Sequence, residues 1–412
     1  MSGAVLDTLW VCLDDPAFGP LQRLGTLQRG ERGSVRFSYE GGWLKSGRAF
    51  ELDPQLRLDA GPQFARGANF GVFLDSCPDR WGQVLLRRRE SLAAREAGRR
   101  VRELDAWDFL QGVQDLTRMG ALRFSAPHTG RFLADEALSA PPMAKLAELQ
   151  SLATELSRSG IDDLPELRRW LAALLAPGSS LGGARPKANL QGDDGLWIAK
   201  FPAAQDTHDV ALWEMLLHQL AQAAGVTLAP AKLWRAGGGY HSFLTRRFDR
   251  HGSSRRLFCS AMTLLEKTDG EEASYLELAE FLASHGDPAA LEQDLAQLFR
   301  RLLFNLAAGN RDDHLRNHGF LRGAAGWVLA PAYDLNPSFD KADHALSLEG
   351  AQTRPSVQQA LATAHYYRLS TAQAKRIAEE VLAALESWRS KGKALGLSRA
   401  ELMRGEGHFV VG

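Results

Sequence analysis

The apolar pattern changes its period part-way along the chain, and that change limits the folds open to it. Over residues 1–75, "TLWVCLDD", "LGTLQRG", "SVRFSYEGGWL" and "GRAFEL" are short runs rich in Val, Leu, Phe, Trp and Tyr, broken by Gly and Asp. They read as strands and turns, and "MGALRFS" adds another. Past residues 125–140 the apolar positions recur at helical spacing, first in "ALSAPPMAKLAELQSLATELSRSG" after a double proline, then in "LPELRRWLAALLAPG". Strands gathered first and helices gathered later give an α+β chain rather than alternating α/β.

At 412 residues the chain exceeds what one core holds, so two or three domains are expected. The 49 basic and 49 acidic residues cancel, which removes any global positive field for binding nucleic acid directly. Cys12, Cys77 and Cys259 are odd in number and far apart, without metal-ligand or redox spacing. No basic segment precedes an apolar core at the N-terminus, and no run reaches membrane-spanning length. A cytoplasmic, multi-domain protein without a membrane partner is the expectation.

From residue 178, "PGSSLGGARPKANL" forms a small-residue loop leading into a strand. "QGDDG" supplies a hairpin turn, and "LWIAKFP" is the returning strand, ended by Pro202. "THDVALWEMLLHQLAQAAG" predicts a helix capped by Asp206 or Thr207 and closed by Gly225. Further helices are expected over 274–284, 289–306, 356–366 and 371–390, with hairpins in "AKLWRAGGGYHSFLTRRFDR" and "GFLRGAAGWVLAP".

Four polar landmarks follow one another in this framework. Gly182 and Gly183 let backbone N–H groups approach a phosphate without Cβ obstruction; taken alone, such a loop is an ordinary turn. Lys200 lies in an apolar strand, where an ammonium needs an anion or a route to solvent. Glu214, among Leu212, Trp213, Leu216 and Leu217, sits where it could pair with Lys200. Finally, "AAGNRDDHLRNHGFL" holds Asp312 and Asn317 in an Asp-x4-Asn spacing, and Asp334 follows in "APAYDLNPS". In phosphoryl transfer an aspartate of that loop accepts the hydroxyl proton, the asparagine holds Mg²⁺, and a later aspartate binds metal as well. A site of two histidines and a carboxylate from Asp312, Asp313, His314 and His318 is the competing reading. It requires a helical face, whereas Gly309 and Gly319 frame the segment as a loop.

At these residues the sequence resembles the HipA family of bacterial serine/threonine kinases, toxins of type II toxin–antitoxin systems. "SSLGGARPKANL", "WIAKFP", "RRFDR", "NLAAGNRDDHLRNHGFL" and "PAYDLNPS" fall in the family's order. "DSCPDRWGQVLL" is similar to a turn of its N-terminal domain. The resemblance implies a protein-kinase-like two-lobed fold with an extra β-rich N-terminal domain and a mainly helical C-terminal lobe. It divides the chain into 1–130, a kinase N-lobe-like region 131–248, and a C-lobe 249–412. By the same resemblance Lys200 would contact ATP phosphates, Asp312 would be the catalytic base, and Asn317 and Asp334 would bind Mg²⁺. Ser180, or its neighbour Ser179, would be autophosphorylated, switching the enzyme off by adding charge beside the nucleotide. The stretch "LFCSAMTLLEKTDGEEASYLELAEFL" departs from the acidic segment and Phe-Cys-Gln-like run of many members.

The resemblance further implies a protein substrate, in known members an aminoacyl-tRNA synthetase, and a small DNA-binding, HipB-like antitoxin through which DNA would be reached. The basic run 85–103 could touch DNA phosphates or an acidic partner, or be a solvated helix face of alternating arginines and glutamates. A weakly catalytic co-repressor bound to its antitoxin and a small-molecule kinase are the alternatives to a toxin kinase.

Overall fold

The computed structural model describes residues 5–134, 140–157, 185–237, 239–350, 352–354 and 356–410, together with Leu171, Leu174 and Gly183. The chain divides into two compact units: residues 1–205 with 249–259, and residues 206–248 with 260–412. The first carries the β-rich N-terminal region and the second is mainly helical, as expected for α+β.

In the first unit, β1 (Thr8–Leu13), β2 (Gln22–Arg29), β3 (Val35–Tyr39), β4 (Gln63–Phe64) and β5 (Leu122–Ser125) form one antiparallel sheet in the order β4-β3-β2-β1-β5. Phe37, Phe73 and Phe124 meet in its core at centroid separations of 5.6 and 5.8 Å. The run "GRAFEL" is not a strand. Its Leu52 N–H donates to the Tyr39 hydroxyl at 3.1 Å, and that hydroxyl donates to Leu56 O at 3.2 Å, so a buried side chain replaces a neighbouring strand.

The Pro-Asp turn starts helix α1 (Arg80–Glu96), capped by Asp79. A capping box of Asp105 and Asp108 starts α2 (Ala106–Gly112), and α3 (Leu146–Leu156) follows the double proline. Along the basic run, Glu90 binds the Arg99 guanidinium through both oxygens and Arg102 pairs with Asp108, so part of its charge is met within the chain. Strands β6 (Lys187–Gly192) and β7 (Gly195–Lys200) form the expected hairpin, with Gly195 at φ 122°. The helix read in "LPELRRWLAALLAPG" falls almost wholly outside the described residues.

In the second unit, α4 (Val210–Ala223) is capped by Asp209 rather than Asp206 or Thr207. Asp209 wins because its second oxygen also takes the backbone N–H and the ring Nδ1 of His241, at 3.0 and 2.6 Å. Gly225 closes the helix at φ 77°. Strands β8 (Ala231–Trp234) and β9 (Ser242–Arg246) pair antiparallel. Helices α5 (Tyr275–His285) and α6 (Leu291–Ala308) precede the hairpin of β10 (Gly319–Arg322) and β11 (Trp327–Leu329).

The run 356–366 is helical only over Val357–Ala362, with a 3-10 turn over Ala364–Tyr367. The run 371–390 breaks at Ser387 into α7 (Thr371–Glu386) and α8 (Trp388–Leu395), whose first residue, Trp388, stacks on Phe409 at 4.8 Å. Among the described residues no helix is long and apolar enough to cross a membrane.

Candidate functional site

Helix α6 delivers the polar loop. Its last turns are buried on all sides, including Arg301 and Asn305, and it stops at Gly309, φ 65°. A Cβ there would sit 2.3 Å from the His408 ring, so only glycine makes this turn. His408 Nε2 donates to Gly309 O at 3.2 Å, and its ring lies 4.7 Å from that of Phe339. Burial, then the nearby Arg311 charge, pushes His408 down to about 4 from the usual 6.5. The unfolded chain therefore takes up a proton near pH 6.5 that the folded chain refuses until about pH 4. Stability is full above that window and is lost as pH falls through it. Thermal midpoints between pH 7.5 and 4.5 should fall on acidification, and His408→Gln should flatten that slope.

Beyond Gly309 the loop is irregular except for one 3-10 turn over Leu315–Asn317. His314 and His318 consequently share no helical face. Among the described residues no group of three or more His, Cys, Asp and Glu is arranged to hold a metal ion. His318 is fully buried and burial drives its pKa down to about 4, so it is a neutral ring packed edge-on to Tyr275.

Asp312 is half-exposed and ion-paired with Lys341, while Asp313 is buried. The Asp313 carboxylate accepts from the Tyr275 hydroxyl at 2.8 Å and from Ala345 N at 3.2 Å. Tyr275 in turn accepts from Asn305 Nδ2, and Asn305 Oδ1 accepts from Asn310 Nδ2. Burial and the adjacent Asp313 charge raise the Tyr275 pKa well above its usual value, so the hydroxyl stays a donor. This chain of hydrogen bonds fixes which way residues 310–313 face, leaving Asp312 turned outward.

Asn317 Nδ2 donates to the Asp312 carbonyl at 2.8 Å. Its Oδ1 is buried and has no hydrogen-bond partner among the described residues. Asp334 follows β11 with φ 58°, the left-handed region that a non-glycine residue adopts at a cost. Its neighbours tie it to the loop: the Tyr333 hydroxyl donates to Arg316 O at 2.8 Å, and Ser338 N donates to Gly309 O at 3.0 Å. Asn310, Asp313, Asn317, Tyr333 and Leu335 line one small cavity. An unpartnered amide oxygen in a cavity lined by both neighbours of Asp334 is a donor suited to Mg²⁺, which takes one or two protein oxygens and completes its shell with water and phosphate.

In the first unit, Lys200 ends β7, half-buried, directly opposite Lys187 in the hairpin register. Gly183 is described, at φ 81°, whereas Gly182, Ser179 and Ser180 lie outside the described residues. Glu214 is buried on α4, 3% exposed.

Sequence reasoning missed several contributors. Lys341 and Tyr275 stand 29 and 38 residues from their aspartate partners, beyond any local spacing. The departing stretch touches the loop as well, since Asp269 binds the Arg316 guanidinium through both oxygens at 3.0 Å. The signal available was the acidic run itself, "KTDGEE".

Comparison with known proteins bears on this arrangement. Residues 179–389, just over half of the chain, match the HipA-like C-terminal domain, and residues 18–125 match the HipA N-terminal domain. The chain belongs to the HipA family. The serine/threonine-protein kinase toxin HipA of Shewanella oneidensis is 27% identical over 193 residues, which span 39% of this chain and 43% of that protein, less than half its length. A solved structure from Shewanella oneidensis MR-1, a complex of HipA, HipB and operator DNA, superposes with a TM-score of 0.69 at 18% identity. The superposition covers 97% of this chain and 94% of that one, and it shows a shared fold.

Proposed function

We propose that the chain is an ATP- and Mg²⁺-dependent protein serine/threonine kinase, the toxin of a toxin–antitoxin pair acting in the cytoplasm with a HipB-like antitoxin. The carrying observation is the pairing of Asn317 with Asp312: one amide hydrogen bond sets the loop, and the same side chain keeps an unpartnered oxygen buried beside the Asp334 segment. Asp312 is the group that takes the substrate hydroxyl proton, and its carboxylate is held by the Lys341 ammonium. Asn317 Oδ1 and the Asp334 carboxylate would hold Mg²⁺, which when bound supplies positive charge against the phosphate oxygens.

Lys200 would meet the nucleotide phosphates, and a Glu214 ion pair would hold it there. The glycine loop would cover the nucleotide, and phosphorylation of Ser180 or Ser179 would set a like charge beside it. The target is a protein hydroxyl, and DNA is reached only through the antitoxin. This reading keeps the three-part division at residues 130 and 248.

Thermal unfolding of the purified chain with ATP, with and without Mg²⁺, tests the metal assignment. The midpoint should rise more with Mg²⁺ than without it, and Asp334→Ala should remove that difference. A Mg²⁺-dependent rise of the same size in Asp334→Ala would exclude Asp334 as a ligand.

A further inference from the structure

Two stretches 108 residues apart, the Pro-Asp turn of the N-terminal domain and the strand after the paired glycines, meet in a buried ion pair. Lys187 Nζ donates to Asp79 Oδ2 at 2.6 Å, and both side chains are 4% exposed. The other Asp79 oxygen accepts from Gly82 N at 2.8 Å and so caps α1. Two residues after Asp79, Trp81 Nε1 donates to Lys187 O at 3.1 Å. On its far side the same ammonium donates to Gly183 O at 3.3 Å, where the backbone is in the left-handed region. The N-terminal domain thus grips Lys187 by its side chain and by its backbone, and Lys187 grips the end of the glycine loop.

A buried ion pair is weak evidence for stability, because two apolar residues of the same volume fill such a space at lower desolvation cost. What a charged pair adds is a fixed position. The positive end of α1 favours the carboxylate of Asp79, and Lys187 faces Lys200 directly across the hairpin, so an uncompensated Lys187 charge would repel Lys200.

We propose that Asp79 is a positioning residue for nucleotide binding. Through Lys187 it sets Gly183 and the start of β6, and across the hairpin the Lys200 end of β7 that meets the phosphates. The inference rests on the kinase reading and adds to it that the N-terminal domain controls nucleotide affinity without touching the nucleotide.

The test is steady-state phosphoryl transfer by the full chain with Mg²⁺-ATP, comparing wild type with Asp79→Asn. Asparagine caps a helix as well as aspartate does and has the same shape, so the substitution keeps the cap on Gly82 N and removes the charge and the oxygen that accept from Lys187. The expected result is an ATP KM about tenfold higher with kcat within about threefold of wild type, the split expected when ground-state binding alone is lost. A merely structural role would lower the yield of active protein, and so the apparent kcat, with KM unchanged. Trp81→Phe, which keeps an aromatic side chain and loses the N–H donor, should raise KM about threefold and serves if Asp79→Asn does not fold. Wild type that turns over ATP while the folded variants keep its KM overturns the role of Asp79 alone. Wild type that neither binds nor turns over ATP overturns the kinase reading, and this inference with it.

Discussion

Asp312→Ala should lower phosphoryl transfer from ATP by about 10²- to 10⁴-fold, the range that a positioned general base contributes. Stability should barely move. Asp312 is half-exposed and its partner Lys341 equally so, and exposed ion pairs are worth at most about 1 kcal/mol. The backbone carbonyl of Asp312, which accepts from Asn317, survives the substitution. ATP-dependent thermal stabilisation should persist, since the nucleotide and metal contacts lie elsewhere. A variant that folds, binds ATP and does not transfer phosphate separates the base from the binding groups.

Asp313→Ala should do the opposite. Asp313 stands next in sequence, but its carboxylate is buried and accepts from Tyr275 and from Ala345 N. Truncation strands the buried Tyr275 hydroxyl, while Ala345 N keeps its bond to Arg311 O at 3.1 Å, so the chain should lose about 1–3 kcal/mol in denaturant unfolding. Asp313→Asn keeps an acceptor for the Tyr275 hydroxyl and should lose about half as much. Activity should fall with the folded fraction rather than at the chemical step. Two adjacent aspartates would then be told apart by two instruments, one kinetic and one thermodynamic.

Element type was legible wherever an apolar period ran unbroken. The strands of the first sheet, the β6–β7 hairpin with its Asp-Gly turn, and helices α5 and α6 all follow from local pattern. Misreadings arose where a tertiary partner outbid the local signal. "GRAFEL" has strand composition, yet its backbone is satisfied by the Tyr39 hydroxyl. Asp206 and Thr207 are good caps by position, yet Asp209 also holds His241. The period of 371–390 runs on past Ser387, where one helix ends and the next begins at Trp388, which stacks on Phe409.

The candidate site divides in the same way. Asp312, Asn317 and Asp334 could be read from spacing and order, because the chemistry they are proposed to serve fixes both. The shaping groups could not. Tyr275, Lys341 and the Asp79–Lys187 pair join residues 29 to 108 positions apart, and no local pattern carries such contacts. Asp313 and His318, metal ligands only in the competing reading, are a buried acceptor and a neutral packed ring.

The most direct test of the central claim is the intact mass of dephosphorylated chain after incubation with ATP and Mg²⁺, run beside Asp312→Ala and followed by peptide mapping of residues 178–187. The kinase reading predicts that wild type gains phosphoryl groups, with Ser180 or Ser179 among the sites, and that Asp312→Ala gains none. Wild type that stays unmodified and labels no protein in a lysate would contradict it, as would Asp312→Ala phosphorylated to the wild-type extent.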